Sequence, residues 1–154
     1  MKMVFESGTC SLQSSIIRNK VMAGGEKNNN EGKNNFTVLV VDDDIIVRMV
    51  HKMLVTSLGL KVQEAKNGKE AVDLHINGAS FDLILMDMEM PILNGPTATR
   101  ELRAMGVKST IVGVTSCTFE SVHKDFIEAG LNHCVAKPLT IAKIASFLPR
   151  SNNN

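Results

Sequence analysis

The sequence has no tryptophan, no tyrosine, only three cysteines and no apolar run that approaches the roughly twenty residues of a membrane-spanning helix. The last absence excludes an expected transmembrane span. The three cysteines, Cys10, Cys117 and Cys134, cannot all pair within the chain, and no secretory apolar region precedes a small-residue cleavage site. A disulfide-stapled secreted fold is therefore not expected, and a reduced cytosolic or nuclear setting is. Charge of one sign is missing too: 17 Lys and Arg face 16 Asp and Glu, for a net charge of +1, and no basic cluster occurs. Without a basic field there is nothing to neutralise a phosphate backbone, so nucleic acid is not expected as a direct partner. The lack of tryptophan removes a fluorescence probe and carries no information about class. What is present, 154 residues with 44% hydrophobic and 21% charged content, suits one soluble globular domain with a full core.

Residues 1–35 differ from the rest. Ser14-Ser15, Gly24-Gly25, Asn28-Asn29-Asn30 and Asn34-Asn35 break any apolar period, and the segment reads as a disordered or weakly structured tail. Within it, residues 11–22 form a candidate short helix with Leu12, Ile16 and Ile17 on one side. A transit peptide is the alternative, opposed by Glu6 and the single Arg18. From Phe36 to Leu148 short β-branched runs alternate with helix-period segments, which delimits the expected domain at 36–148 and leaves 149–154 as a short tail. Strands are expected at 37–41, 60–65, 81–86, 110–114 and 134–136, and helices at 45–57, 68–77, 95–104, 119–129 and 141–147. Val38 to Val41 and Leu83 to Met86 are continuously apolar, the pattern of strands buried on both faces of a parallel sheet. Five βα units with helices on both faces follow. Neither tail has room for an output domain, so the output is expected to lie in another protein.

In an open α/β sheet the site lies beyond the carboxyl ends of the strands, where strand order reverses. The first strand runs into Asp42-Asp43-Asp44, the third into Asp87, the fourth into Thr115-Ser116 and the fifth into Lys137-Pro138. Asp44 is the expected N-cap of the following helix. Three carboxylates at one rim repel one another and need a cation, and with oxygen ligands and no His/Cys cluster that cation is Mg²⁺. A divalent ion would screen Asp87 from an incoming phosphoryl group. Lys137 offers a point charge for one phosphoryl oxygen and Thr115 a hydroxyl donor for another. Phosphoryl transfer needs mainly such positioning and charge neutralisation.

The strings VLVVDDD, LILMDMEMP, VGVTS and CVAKPLT, in this order, resemble the signature of response regulator receiver domains of two-component phosphorelays. FDLILMDMEMP, VKSTIVGVTS and EAGLNHCVAKPLT are similar to the plant type-C response regulators, which consist of a receiver alone. The resemblance implies a flavodoxin-like, doubly wound five-stranded parallel sheet of order 2-1-3-4-5. It implies Asp87 as phosphoacceptor, Asp43 and Asp87 as side-chain ligands of Mg²⁺, Asp42 acting through water, and Glu89 through its backbone carbonyl. Lys137 would precede a cis Pro138. The implied donor is a histidine phosphotransfer protein or a histidine kinase, with some relatives draining phosphate as a phosphatase would. One departure is evident: an aromatic switch residue is usual three positions before the lysine, and here Cys134 stands there. The surface from the 119–129 helix to the 134–136 strand, together with the rim, is expected to meet a helical phosphotransfer protein. Glu89 and Cys117, each two positions beyond a site residue, are expected to influence the hydrolysis rate.

Rival readings exist. A haloacid-dehalogenase-like phosphatase would use Asp42 as nucleophile in Asp42-Asp43-Asp44, but puts Ile46 where that pattern wants Thr or Val and leaves Asp87 idle. A flavin or nucleotide module on the same fold would need a Gly-rich phosphate loop after the first strand, where acids stand instead. A degenerate receiver serving as scaffold would not need every acidic and basic position filled. His51, His75, His123 and His133 share no metal-ligand spacing and read as surface or core residues. Met86, Met88 and Met90 read as packing, and Cys117 as an inert thiol.

Overall fold

Val38 to Val41 and Leu83 to Met86 carry no polar side chain, and all eight residues are buried. They form the middle of a sheet that both faces must cover. In the computed structural model, which describes residues 35–117 and 119–150, five strands are present. They are β1 (Thr37–Val41), β2 (Lys61–Ala65), β3 (Leu83–Asp87), β4 (Thr110–Thr115) and β5 (His133–Ala136). All pair in parallel in the order β2-β1-β3-β4-β5, the flavodoxin-like order expected. The 11–22 helix, the tail before Asn35 and the last four residues lie outside the described residues.

Four helices connect the strands and a fifth follows β5: α1 (Ile45–Ser57), α2 (Gly68–Ile76), α3 (Gly95–Ala104), α4 (Glu120–Glu128) and α5 (Ile141–Ala145). Side-chain caps start four of them. Asp44, Asn67, Asn94 and Thr140 each accept a backbone N–H from the first turn, which satisfies donors that have no partner within the helix. Of the five, α4 alone begins without a side-chain cap, at Phe119.

Strand alternation divides the core. Leu39, Val41, Ile84, Met86 and Ile111 face one way, against Ala71, Val72, Ala98, Leu102 and Phe126 of α2 to α4. Val38, Val40, Leu83, Leu85, Val112 and Val114 face the other, against Val55 of α1 and Ile144 of α5. Each fully buried Leu or Ile contributes about 1.5–3 kcal/mol by leaving water.

β3 begins at Leu83, two residues later than its apolar run suggests. Asp82 Oδ2 accepts from Thr37 N (2.8 Å) and Thr37 Oγ1 (3.0 Å), so a carboxylate at this point takes the place of a ladder bond.

At the amino ends of the strands, opposite the acidic rim, Arg103 closes the fold without a carboxylate partner among the described residues. Its Nε donates to Gly130 O (2.9 Å), its Nη1 to Val107 O (2.7 Å) and Ser109 O (3.0 Å), and its Nη2 to Asn132 Oδ1 (2.7 Å). Burial pushes the guanidinium pKa below its ordinary value. An ammonium is a point donor and cannot span this fork. Arg103→Lys is therefore expected to lose at least two charge-assisted hydrogen bonds and about 3 kcal/mol in urea unfolding. Phosphoryl chemistry at the far rim should be unchanged, and an unshifted midpoint would remove Arg103 as the clamp.

Candidate functional site

Parallel pairing brings the carboxyl ends of β1, β3, β4 and β5 to one rim, and the order reverses between β1 and β3. Asp42 follows β1 directly and Asp87 ends β3, so the two acids flank the reversal. Asp42, Asp43 and Asp87 each offer a carboxylate oxygen, and these atoms lie within 4.8 Å of one another. Asp42 is 1% exposed and Asp87 7%, whereas Asp43 faces solvent.

Lys137, one residue past β5, reaches across to both buried acids. Its Nζ lies 3.0 Å from Asp42 Oδ2 and 3.1 Å from Asp87 Oδ1. The Lys137–Pro138 peptide is cis. Burial works against the lysine charge, but hydrogen bonds and attraction from Asp42 and Asp87 outweigh it, so the pKa is raised. Asp87 is pushed up to about 6, first by burial and then by the Asp42 charge, with Lys137 opposing. One ammonium thus faces three carboxylates, and the local charge remains negative.

Local bonds hold the first loop. Asp42 Oδ1 accepts Asp44 N (2.9 Å), and Asp44 Oδ1 caps α1 through Ile46 N (2.8 Å) and Val47 N (3.2 Å). Arg48 Nη1 donates to Asp42 O (2.8 Å), and Asp42 N donates to Ala65 O (3.2 Å). The arginine was not singled out by sequence reasoning, because a contact from the first turns of a helix back to a strand end leaves no local pattern.

Thr115 is 2% exposed at the end of β4. Its hydroxyl accepts from Cys117 N (2.9 Å) and donates to Met88 Sδ (3.6 Å). It therefore shares the rim without bonding the carboxylates, and it is held by a thioether, a weak acceptor. The role of Met88 was also missed; only its apolar character is legible. Glu89 is exposed and its side chain lies outside the carboxylate group. In the same loop Leu93 N donates to Pro91 O (2.8 Å) around Ile92, whose φ of 73° is strained for a β-branched residue.

The donors that converge at the rim are all oxygens, with negative charge in excess of the single lysine. This set fits a hard cation such as Mg²⁺, with Asp42, Asp43 and Asp87 as the residues placed to hold it. Among the described residues no helix is long and apolar enough to cross a membrane.

Comparison with known proteins agrees with this geometry. Two relatives from Arabidopsis thaliana are two-component response regulators: regulator 24, 52% identical over 67% of this chain and 74% of its own length, and ARR22, 56% identical over 66% and 72%. Both are plant proteins, in line with the type-C resemblance. The receiver domain of a sensor histidine kinase from Pseudomonas aeruginosa, described with a magnesium ion coordinated in its active site cleft, is 29% identical with a TM-score of 0.65, covering 73% of this chain and 93% of that one. A receiver domain from Saccharomyces cerevisiae, solved with a histidine phosphotransfer signaling protein, shares the fold at 23% identity and a TM-score of 0.66, covering 73% and 85%. The family model for the response regulator receiver domain matches residues 38–148, and the chain belongs to that family.

Proposed function

We propose that this receiver accepts a phosphoryl group on Asp87 from a phosphohistidine, in a Mg²⁺-dependent His-to-Asp phosphorelay. The observation that carries the reading is Lys137 Nζ set between Asp42 and Asp87 beside a three-carboxylate group. Asp43 and Asp87 would hold the ion by side chain, Asp42 through water and Glu89 through its backbone carbonyl. The ion supplies charge neutralisation for Asp87 and the phosphoryl oxygens.

The chain's own residues do the rest. An Asp87 carboxylate oxygen attacks phosphorus in line, its O–P bond forms as the N–P bond to imidazole breaks, and the departing nitrogen takes a proton from water. Lys137 transfers one of its hydrogen bonds from carboxylate to a phosphoryl oxygen. The Thr115 hydroxyl exchanges the Met88 sulfur for another, a change that gives up little. The product is a mixed anhydride, so the donor must be comparably activated, as a phosphoramidate or an acyl phosphate is and a phosphoester is not. Phosphate then leaves by hydrolysis or by back-transfer, and fast hydrolysis would make the domain a drain for its donor.

Asp42 is the weaker nucleophile candidate. It is nearly inaccessible, and both of its oxygens already accept hydrogen bonds.

For the partner, α1 is the favoured face. Ile45, Ile46, Met49, Val50 and Met53 are each 46–67% exposed and run along the helix that starts beside the acidic rim. This stripe is continuous with the site, whereas the surface from α4 to β5 offers only Phe119 and Ile127 as large exposed apolar groups. A helical phosphotransfer protein with apolar residues around its histidine fits it.

Intact mass after incubation with Mg²⁺ and acetyl phosphate tests the reading. A hydroxylamine-labile adduct is expected, and a chelator should abolish it. Its decay rate separates a relay from a drain. No adduct, even with a phosphorylated histidine phosphotransfer protein as donor, would overturn the assignment.

A further inference from the structure

Three asparagines precede a glycine in this chain: Asn67, Asn77 and Asn94. An Asn–Gly pair is chemically labile, because a glycine places no side chain in the way when its backbone nitrogen attacks the asparagine Cγ. The fold treats the three pairs differently.

Two of them are locked. Asn67 and Asn94 are the N-caps of α2 and α3, and each Oδ1 accepts a backbone N–H, from Glu70 and from Thr97, at 2.9 Å. The nitrogens that would attack are occupied as well: Gly68 N donates to Leu93 O (3.1 Å) and Gly95 N to Met88 O (2.9 Å). Both glycines are buried, and neither backbone has room to turn. A Cβ on Gly68 would lie 2.5 Å from Leu93 O, and one on Gly95 would overlap Asp87 O.

The third pair is open. Asn77, the C-cap of α2, is exposed, as is Gly78, and its side chain has no hydrogen-bond partner among the described residues. Gly78 has a φ of +92° with nothing within 4 Å of a Cβ built there. Its nitrogen is held by one bond, to His75 O at 3.0 Å, in the last turn of the helix. Bonds at a helix end open with little free energy.

We propose that Asn77–Gly78 is a covalent modification site at which the folded chain converts asparagine to aspartate and isoaspartate. Gly78 N gives its proton to solvent and attacks Asn77 Cγ. The new N–C bond forms a cyclic imide, and the bond from Cγ to the amide nitrogen breaks, ammonia leaving with a proton from water. A water molecule then opens the imide at either carbonyl. Opening at the Cα carbonyl gives isoaspartate, with an extra methylene in the backbone just before the bonds from Gly78 N to His75 O and Ala79 N to Leu74 O that close α2. Either product adds a carboxylate at the negative end of the helix and takes the net charge from +1 to 0. The inference does not depend on the role of Asp87.

Peptide mapping by mass, with chromatographic separation of the isoaspartyl form, tests it on the full chain aged at mildly alkaline pH, folded and in urea. In the folded protein Asn77 should convert at least about tenfold faster than Asn67 or Asn94, since each of those must first break its lock. In urea the three should convert at comparable rates. Gly78→Ala should slow conversion at Asn77 in both conditions, because a methyl obstructs the attacking nitrogen. Equal rates at the three sites in the folded protein would overturn the proposal, and a preference for Asn77 that persisted in urea would show that the fold does not select it. Conversion undiminished in Gly78→Ala would refute the imide route. Should that variant fail to fold, the wild-type comparison of folded and unfolded chains still decides.

Discussion

Replacing Asp87 with Asn is expected to abolish phosphoryl uptake and, without Mg²⁺, to make the domain more stable than wild type at about pH 8 by about 2–3 kcal/mol. The first half follows from the nucleophile, since an amide oxygen cannot form the stable mixed anhydride. The second follows from the raised carboxyl. Asp87 titrates at about 6 in the folded protein, against 3.8 ordinarily. Between these values the folded protein holds a proton that the unfolded chain releases, so stability falls as pH rises through the window and is level above it. Asn carries no such penalty. Its advantage should vanish below about pH 4, where both states of wild type are protonated, and should shrink when Mg²⁺ relieves the repulsion from Asp42. Urea unfolding of both proteins at the two pH values, with and without chelator, gives the answer. A variant less stable than wild type at the higher pH would mean that Asp87 serves Lys137 as a structural partner. A variant that still takes up phosphate would place the nucleophile elsewhere.

The central strands were legible because burial on both faces writes itself as an unbroken apolar run in Val38 to Val41 and Leu83 to Met86. The edge strand β2 was legible for a different reason, the alternation of exposed and half-buried residues from Lys61 to Glu64. Parallel pairing then made the rim readable, since every strand delivers its next residue to the same end. That is why Asp42, Asp43, Asp87 and Lys137 could be grouped before any distance was known. Long-range choices were not legible. Nothing local ties Arg48 to the Asp42 carbonyl, Met88 to the Thr115 hydroxyl, or Arg103 to four acceptors spread over Val107 to Asn132.

Removing the lysine charge should have the largest structural effect at the rim. Lys137→Met leaves Asp42, 1% exposed, without the donor to its Oδ2. Breaking a buried pair typically costs about 3–5 kcal/mol. Two features pull the figure here toward about 3 kcal/mol: Lys137 is 22% exposed, and Asp87 can take up a proton rather than remain charged beside Asp42. The variant should therefore gain stability as pH falls through an Asp87 pKa that loss of the lysine lifts above its wild-type value of about 6, and Mg²⁺ should raise its urea midpoint more than that of wild type, because the ion replaces the missing positive charge. Phosphoryl uptake should remain slower by on the order of 10²–10³-fold even at saturating Mg²⁺, since the ion restores charge but not the donor at the phosphoryl oxygen. This split distinguishes the two roles of one side chain. Full recovery of uptake with Mg²⁺ would reduce Lys137 to a counter-charge, and an unshifted midpoint without Mg²⁺ would deny it even that. The expected result, recovered folding with uptake still impaired, assigns the ammonium a place in the transfer itself.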